Sequence, residues 1–330
     1  MATPRLRRAT LAAALLALAL AVASCGGDDD EGAAGNGDGG GTIGVSVPTV
    51  QGPFFTAMLY GMKDEAAKLG YTLEIRDAGG YGNVEQQASQ MENLVVQQVD
   101  ALLVDPADAQ TLEGSLQQAK AAGIPVVGAG DPFPGADTSV TASHCDVGKT
   151  MAEGAKQLLP DGGTMAALTG PPGAVWTTER WKCFQQDIEG AGIDIVAEQS
   201  SEPAVERGVA IASDFLQRYP DVDLIYGADD TVGVGAAQAV QEADRCGETM
   251  VLTAVFGRQA EQLMKAGCIS FIAALPTVAI GRRSVQEAHK LIQGQEPESD
   301  VISIPLVPVT EENVDTVDIA DLREPDDYQP

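Results

Sequence analysis

The sequence predicts an α/β protein with two lobes, each built on a doubly wound parallel sheet. From residue 42 onward, short β-rich runs alternate with longer amphipathic segments, which implies right-handed βαβ crossovers. Runs such as "ALLV" and "PVVG" are apolar on both faces, as is typical of strands covered by helices on both sides. This body has about 290 residues, which is too many for one ordinary core, so two lobes are expected.

The individual elements follow from the same alternation of patterns. Nine strands are predicted at residues 42–47, 72–77, 101–104, 126–128, 164–168, 194–198, 224–226, 250–253 and 269–274. The first helical segment is "PFFTAMLYGMKDEAAKLG", whose apolar residues recur at helical spacing. Pro53 favours its start and Gly70 its end. Seven similar segments separate the later strands.

The carboxyl ends of the predicted strands form the candidate binding region. In an open α/β sheet, ligands bind beyond those ends. The residues that fall there are 51–55, 77–81, Asp105, 130–131, 169–176, 229–230 and 274–276. They are rich in carboxylates, which accept hydrogen bonds, and in aromatic rings, which pack on ring faces or cations. Together they predict a cleft for a small molecule.

The N-terminus has the pattern of an export signal. Three arginines within residues 5–8 precede "ATLAAALLALALAVAS", a 16-residue run without charge. That run is short for a membrane span, which needs about 20 residues. The sequence "VASC", ending at Cys25, resembles the bacterial lipobox, in which the cysteine is acylated. We therefore predict a signal peptide at residues 1–24 and an extracytoplasmic protein anchored to the cell membrane by lipidated Cys25. An ordinary secretory signal is the alternative.

The stretch at residues 25–41 predicts a flexible tether, because it is rich in Gly and Asp and offers nothing to bury. Removing residues 1–24 removes three of the 20 Lys and Arg residues and no acid, so the formal charge changes from −28 to −31. A field of that sign repels nucleic acid and anionic lipid surfaces. We therefore expect no nucleic-acid partner, and contact with the membrane only through the lipid.

The cysteines beyond Cys25 predict two disulfides, as expected for four thiols in an exported protein, with three connectivities open. They are Cys145, Cys183, Cys246 and Cys268. A metal site is the rival interpretation. It is disfavoured because no pair has C-x-x-C spacing and the chain has only two histidines. No metal and no cofactor are expected.

Fragments of catalytic motifs do not complete a catalytic set. The run Gly148-Lys149-Thr150 is similar to the end of a phosphate-binding loop, but Ser143 occupies the position of the first glycine. We expect Asp146 to cap a helix there instead. His144-Cys145-Asp146 contains the residue types of thiol catalysis, but adjacent residues rarely face one another. The chain is therefore predicted not to be an enzyme, with a secreted enzyme on the same lobes as a rival.

Several segments, taken in order, resemble the type I periplasmic solute-binding proteins, the ribose-binding branch in particular. They include "TIGVSVPTVQGPFFTAMLYGMKDEAAKLGYTLEIRDAGG", "DALLVDP", "AAGIPVV", "ERWKCF" and "YPDVDLIYGADD", and the resemblance covers roughly residues 42–310. It implies lobes that close on a ligand, joined by three crossings near Ser143, Pro276 and Ile304. The implied boundaries are 42–143 plus 276–303 for the N-terminal lobe, 144–275 plus 304–320 for the C-terminal lobe, and 321–330 for a tail.

The resemblance also implies a set of ligand-binding residues. They are Phe54, Phe55, Asp131, Trp176, Thr178, Arg180, Asp229, Asp230 and Ala274. Phe54 and Phe55 match the aromatic pair that sandwiches the sugar ring. Asp131 stands where ribose binders have an arginine. Thr178 replaces a second arginine, with Arg180 two residues on, and Ala274 lies near the position of a hinge glutamine.

The expected function is capture of a sugar or polyol and its delivery to the permease of an ABC importer, by a protein that acts as a monomer. The loss of two arginines, whose fixed donors suit vicinal hydroxyls, also leaves a small cationic or zwitterionic solute as an alternative ligand. Ligand sensing for a membrane receptor or kinase is the alternative function. The analogy further implies the pairings Cys145–Cys183 and Cys246–Cys268.

Overall fold

The computed structural model describes residues 40–172 and 174–329 of the chain. The predicted signal peptide, Cys25 and nearly all of the predicted tether lie outside these residues.

The described chain alternates strands and helices. The strands are β1 (Thr42–Val47), β2 (Thr72–Asp77), β3 (Ala101–Val104), β4 (Val126–Gly130), β5 (Thr138–Thr141), β6 (Gly163–Leu168), β7 (Ile193–Gln199), β8 (Leu224–Gly227), β9 (Met250–Ala254), β10 (Phe271–Ala274), β11 (Val301–Ser303) and β12 (Val307–Thr310). The helices are α1 (Pro53–Leu69), α2 (Val84–Val96), α3 (Glu113–Ala121), α4 (His144–Leu158), α5 (Val175–Asp187), α6 (Val205–Arg218), α7 (Asp230–Glu242), α8 (Arg258–Lys265) and α9 (Thr277–Ile292).

The strands form two six-stranded sheets, which confirms the predicted fold class. The first sheet has the order β2-β1-β3-β4-β5-β11, and its strands are parallel. The second has the order β7-β6-β8-β9-β10-β12, and only β12 runs antiparallel to its neighbour. We call the first sheet with α1, α2, α3 and α9 lobe 1, and the second sheet with α4 to α8 lobe 2.

The chain passes between the two sheets three times. It leaves lobe 1 after β5, returns after β10 by way of α9, and crosses again between β11 and β12. Helix α9 therefore packs on lobe 1 against α1, and two glycines permit a close approach. A Cβ on Gly281 would lie 2.1 Å from the Met58 carbonyl oxygen, and one on Gly61 would lie 2.2 Å from that of Val278.

Helix termini follow the expected chemistry at α1 and differ at α4. Pro53 opens α1, and Gly70 ends it in the left-handed region at φ 79°, as predicted. At α4 the cap is Ser143, whose Oγ accepts a hydrogen bond from the Asp146 backbone N–H at 3.2 Å. The prediction that Asp146 caps this helix was therefore wrong. Asp146 lies in the first turn, where its negative charge interacts favourably with the helix dipole.

Two disulfides hold lobe 2. One joins Cys145 on α4 to Cys183 on α5, with their Cα atoms 5.2 Å apart. The other joins Cys246, after α7, to Cys268, before β10, with their Cα atoms 4.6 Å apart. These are the pairings that the family resemblance implies. Both bridges tie neighbouring elements of one lobe and leave the two lobes free of a covalent link to each other, apart from the chain crossings.

Residues 320–328, which we call the C-terminal clasp, contact both lobes. On lobe 2, Arg258 donates hydrogen bonds to the carbonyl oxygens of Pro325 and Asp326 at 2.6 and 2.8 Å. On lobe 1, Arg282 pairs with Asp321 at 3.0 Å, and the Lys63 ammonium donates to the Tyr328 hydroxyl at 3.0 Å. The predicted tail therefore includes a fixed bridge between α8 on one side and α1 and α9 on the other.

Replacing Arg258 with alanine should lower the free energy of unfolding by about 1–2 kcal/mol, because backbone carbonyls of the clasp lose a charged donor. Chemical denaturation followed by circular dichroism measures the change. The control is Arg218→Ala, which breaks only an exposed pair with Asp214 and should cost at most about 0.5 kcal/mol. Equal losses in the two variants would contradict a role for the clasp.

Candidate functional site

A cavity of about 450 Å³ lies between the two lobes. Its lining comes from the segments that follow β1 to β5 in lobe 1 and β6 to β10 in lobe 2. This is the region that the strand-end rule predicts, because the carboxyl ends of both parallel sheets face it. The volume is within the range of cavities that hold small molecules.

Aromatic side chains form one wall of the cavity in lobe 1. Phe54 and Phe55 lie in the first turn of α1, with their ring centroids 5.2 Å apart and their planes nearly perpendicular. Tyr81, which follows β2, lies 6.4 Å from the Phe55 ring. All three line the cavity, so α1 and the β2 loop together present a surface suited to the CH face of a ring.

Asp105 and Asp131 form the floor of the cavity in lobe 1, and His144 of lobe 2 lies beside them. Asp105 directly follows β3 and is 2 % exposed, and its Oδ1 accepts a hydrogen bond from the Asp131 backbone N–H at 3.1 Å. Gly130, at φ 103°, makes this turn possible, since a Cβ there would meet the Asp105 carboxyl at 3.1 Å. His144, the first residue of α4, places its Nε2 2.8 Å from Asp131 Oδ1. The imidazole thus lies against Asp131 beside the crossing between lobes.

A second pair of carboxyl groups lies at the start of α7 in lobe 2. Asp229 caps this helix: its Oδ1 accepts hydrogen bonds from the backbone N–H of Thr231 and Val232, each at 2.9 Å, and from the Thr231 hydroxyl at 2.7 Å. Asp230 is 4 % exposed, and its Oδ2 has no hydrogen-bond partner within the described residues. One acid therefore serves the helix, and its neighbour offers an unused acceptor at the cavity.

Helix α5 contributes Trp176 and Arg180. The guanidinium lies 4.9 Å from the centre of the Trp176 ring, and its Nη1 donates to the Ala228 carbonyl oxygen at 2.5 Å. Both residues line the cavity, but the arginine covers the indole that was expected to stack on a ligand. Thr178 is exposed, outside the lining, and bonds the Ala174 carbonyl oxygen. Residues two apart on a helix point about 200° apart, so Arg180 and Thr178 cannot share a face.

The segment after β9 carries backbone strain at the cavity. Val255 has φ 68°, the left-handed region that a β-branched residue rarely adopts, and it lines the cavity. Ala274, expected near the hinge, is fully buried in β10 and does not line the cavity, whereas Leu275 does. Successive residues of an extended chain point to opposite sides, which explains the one-residue difference.

Burial perturbs the ionisable groups of the site. Desolvation, reinforced by the charge of Asp229, raises the pKa of Asp230 well above its ordinary value. Desolvation and the charge of Asp131 do the same to the pKa of Asp105. Desolvation also lowers the pKa of Arg180 and raises that of Tyr81. Both lobes therefore present a carboxyl group whose charged form is costly in this environment.

The structure brings together seven of the nine ligand-binding residues implied by the resemblance. These are Phe54, Phe55, Asp131, Trp176, Arg180, Asp229 and Asp230. The lining also includes residues outside those nine, among them Tyr81, Asp105, His144 and Glu202. Tyr81 and Asp105 belong to the predicted strand ends. His144 follows β5, a strand that was not predicted, and Glu202 follows β7, whose end was not marked as a binding position.

The described residues contain neither a metal-binding cluster nor a membrane-spanning helix. Among residues 40–172 and 174–329, no group of three or more His, Cys, Asp or Glu side chains is arranged to hold a metal ion. Over the same residues, no helix is both long and apolar enough to cross a membrane.

Two α/β lobes that enclose a polar, aromatic-walled cavity at their strand ends define a two-lobed protein that binds a small molecule. The family model described as the periplasmic binding protein domain matches residues 43–296. The chain therefore belongs to the periplasmic binding protein family, which confirms the resemblance and the prediction of a binding protein rather than an enzyme.

Curated relatives cover most of the chain. The ribose import binding protein of Bacillus subtilis is 29 % identical over 267 residues, which are 80 % of this chain and 86 % of the relative. A putative rhizopine-binding protein of Rhizobium meliloti is 28 % identical over 284 residues, which are 83 % of this chain and 91 % of the relative. The similarity thus extends over both lobes.

Solved structures share the architecture. An ABC transporter solute-binding protein from Bacillus halodurans C-125, crystallised with bound myo-inositol, superposes with a TM-score of 0.77 at 26 % identity. The match covers 85 % of this chain and 98 % of that one. A solute-binding protein from Agrobacterium vitis with bound D-fucose has a TM-score of 0.80 at 21 % identity, over 86 % and 100 % of the two chains, and shows the shared fold.

Replacing Asp230 with asparagine should stabilise the protein without added ligand at pH 7. The pKa of Asp230 in the folded state is raised above its ordinary value of 3.8. As the pH rises above 3.8, ionisation of this carboxyl group therefore costs more in the folded state than in the unfolded state, and the folded state is destabilised. The uncharged amide avoids this cost, so the gain should be at least about 1 kcal/mol at pH 7 and shrink towards pH 4. Denaturant unfolding across this pH range measures it. The exposed Asp161→Asn variant is the control, and a gain independent of pH would contradict the assignment.

Proposed function

We propose that this protein captures a small polyhydroxylated molecule, a sugar or polyol, in the cavity between its lobes and delivers it to the permease of an ABC importer. The observation that carries the proposal is the cavity itself, which combines an aromatic wall with carboxyl groups from both lobes. Carboxylates accept hydrogen bonds from hydroxyls, and aromatic faces pack on the CH faces of a ring. The names of the relatives, which include ribose import, support the same ligand class.

The three chain crossings supply the hinge in this proposal. Lobe 1 comprises residues 42–143 and 276–303, and lobe 2 comprises residues 144–275 and 304–320. Opening requires only a few residues near the crossings to change φ and ψ. The protein acts as a monomer, and the faces of the two lobes around the cleft present the closed, loaded form to the permease.

Binding is tested by isothermal titration calorimetry against a panel of pentoses, hexoses and cyclitols. Phe54→Ala should weaken binding of any ligand found by about tenfold or more, because the variant removes one of the three rings of the aromatic wall. The matched control is Tyr71→Ala, which removes an aromatic ring bonded to His289 away from the cavity. That control should lower stability and leave affinity unchanged. Failure of every compound in the panel to bind would count against the proposal.

We also propose that the protein is held at the outer face of the cell membrane by acylation of Cys25, after removal of residues 1–24. The support is the "VASC" sequence after an uncharged run, followed by a Gly- and Asp-rich stretch suited to a tether. Metabolic labelling with radioactive palmitate should mark the protein, and Cys25→Ser should abolish the label. Cys246→Ser, which alters a disulfide cysteine, is the control and should keep it. Equal labelling of the Cys25→Ser variant would overturn the anchor.

A further inference from the structure

The lining of the cavity has a large excess of acid. Six Asp and Glu side chains line it, against one arginine and one histidine. Asp105 and Asp131 approach from lobe 1, and Asp229 and Asp230 from lobe 2, so the excess surrounds the space between the lobes. Walls of low dielectric concentrate the field of such charges in a cleft, and the cavity therefore attracts cations.

The two basic residues of the cavity each contact another group of the protein, although Arg180 Nε and both ring nitrogens of His144 have no hydrogen-bond partner within the described residues. Arg180 is 4 % exposed, lies over the Trp176 ring and donates to the Ala228 carbonyl oxygen. It forms no ion pair with any acid of the described chain. His144 is 5 % exposed and lies against Asp131. Within the described chain neither residue forms an ion pair with Asp229 or Asp230, although the charge of Arg180 acts to lower the pKa of Asp230.

Among the six lining acids, Asp230 offers a buried and unused acceptor to the cavity. Its Oδ2 is buried and has no hydrogen-bond partner within the described residues, although the side chain lines the cavity. Its neighbour Asp229 already accepts three hydrogen bonds at Oδ1 from the first turn of α7. A buried carboxyl oxygen without a donor is unfavourable, so a donor brought by the ligand gains both a hydrogen bond and a charge interaction there.

We infer that the preferred ligand is a polyol or sugar that carries one protonated amine, with its ammonium group bound to Asp230. This inference rests on the proposed function and narrows its ligand class. An ammonium has three donors, fewer than the acceptors that the six acids offer, so hydroxyl groups on the same molecule serve the remaining carboxyl groups. The aromatic wall of Phe54 and Phe55 then packs on the carbon framework.

The test uses matched pairs of neutral and amino compounds, measured by isothermal titration calorimetry at pH 7 with the full-length chain in detergent. The pairs are D-glucose with D-glucosamine, D-galactose with D-galactosamine, D-allose with its 2-amino-2-deoxy form, and myo-inositol with a monoamino-deoxy-inositol. In at least one pair the amino compound should bind about tenfold more tightly than its partner. Asp230→Asn should remove that preference and change the affinity for the neutral partner less. Asp161→Asn, at an exposed site, should change neither.

The outcomes separate this inference from the function on which it rests. Neutral members that bind as tightly as, or more tightly than, their amino partners in every pair would overturn the inference and leave sugar or polyol capture standing. A preference for amines that persists in Asp230→Asn would overturn the assigned residue. No binding by any compound of either kind would count against both the inference and the proposed function.

Discussion

The meeting of two parallel sheets at their carboxyl ends is the constraint on which the rest of this structure depends. A parallel strand delivers its following loop to the same edge as its neighbours, so ten strands place their loops around one space. Residues far apart in the chain, such as Phe54 and Asp230, thereby line a single cavity. Two of the helices between the strands, α1 and α7, contribute residues of their first turns to the site.

This arrangement places unfavourable groups where the ligand is expected. Asp105 and Asp230 are almost fully buried carboxyl groups, and Val255 holds a backbone conformation that its branched side chain disfavours. Stabilising contacts lie elsewhere: the two disulfides within lobe 2, the glycine-mediated contact of α1 with α9, and the clasp. Stability and binding are thus divided between different parts of the molecule.

Much of the fold could be predicted from the sequence because its signals are local. The strands at residues 42–47, 72–77 and 101–104 are bounded as predicted, since two are largely apolar and 72–77 alternates apolar with charged residues. Strands β5, β11 and β12 escaped prediction because each is short and contains polar residues or a proline, unlike the equally short but wholly apolar β3. Their pairing depends on sheets assembled from distant parts of the chain, which no short window of sequence contains.

The candidate site was predictable at the level of strand ends and less so at the level of side chains. Asp229 and Asp230 follow the end of β8 after one residue, and their position identified them, but the sequence did not show that only one of them caps α7. His144 was out of reach because β5 was not predicted. Arg180 was placed correctly beside the cavity, but its contact with Trp176 depends on the side-chain packing of α5.

A contact between the two lobes lies beside the acidic cavity. Pro53, at the start of α1, packs against Gly257, where a Cβ would lie only 2.8 Å from the proline Cβ. This approach of α1 to the start of α8 brings the two acidic pairs to opposite sides of one cavity, where Asp105, Asp229 and Asp230 are buried. Since desolvation of a carboxylate is costly, closure alone is penalised, and a ligand that supplies donors to these acids favours the closed form. The buried acids therefore favour closure of the lobes when a ligand is bound.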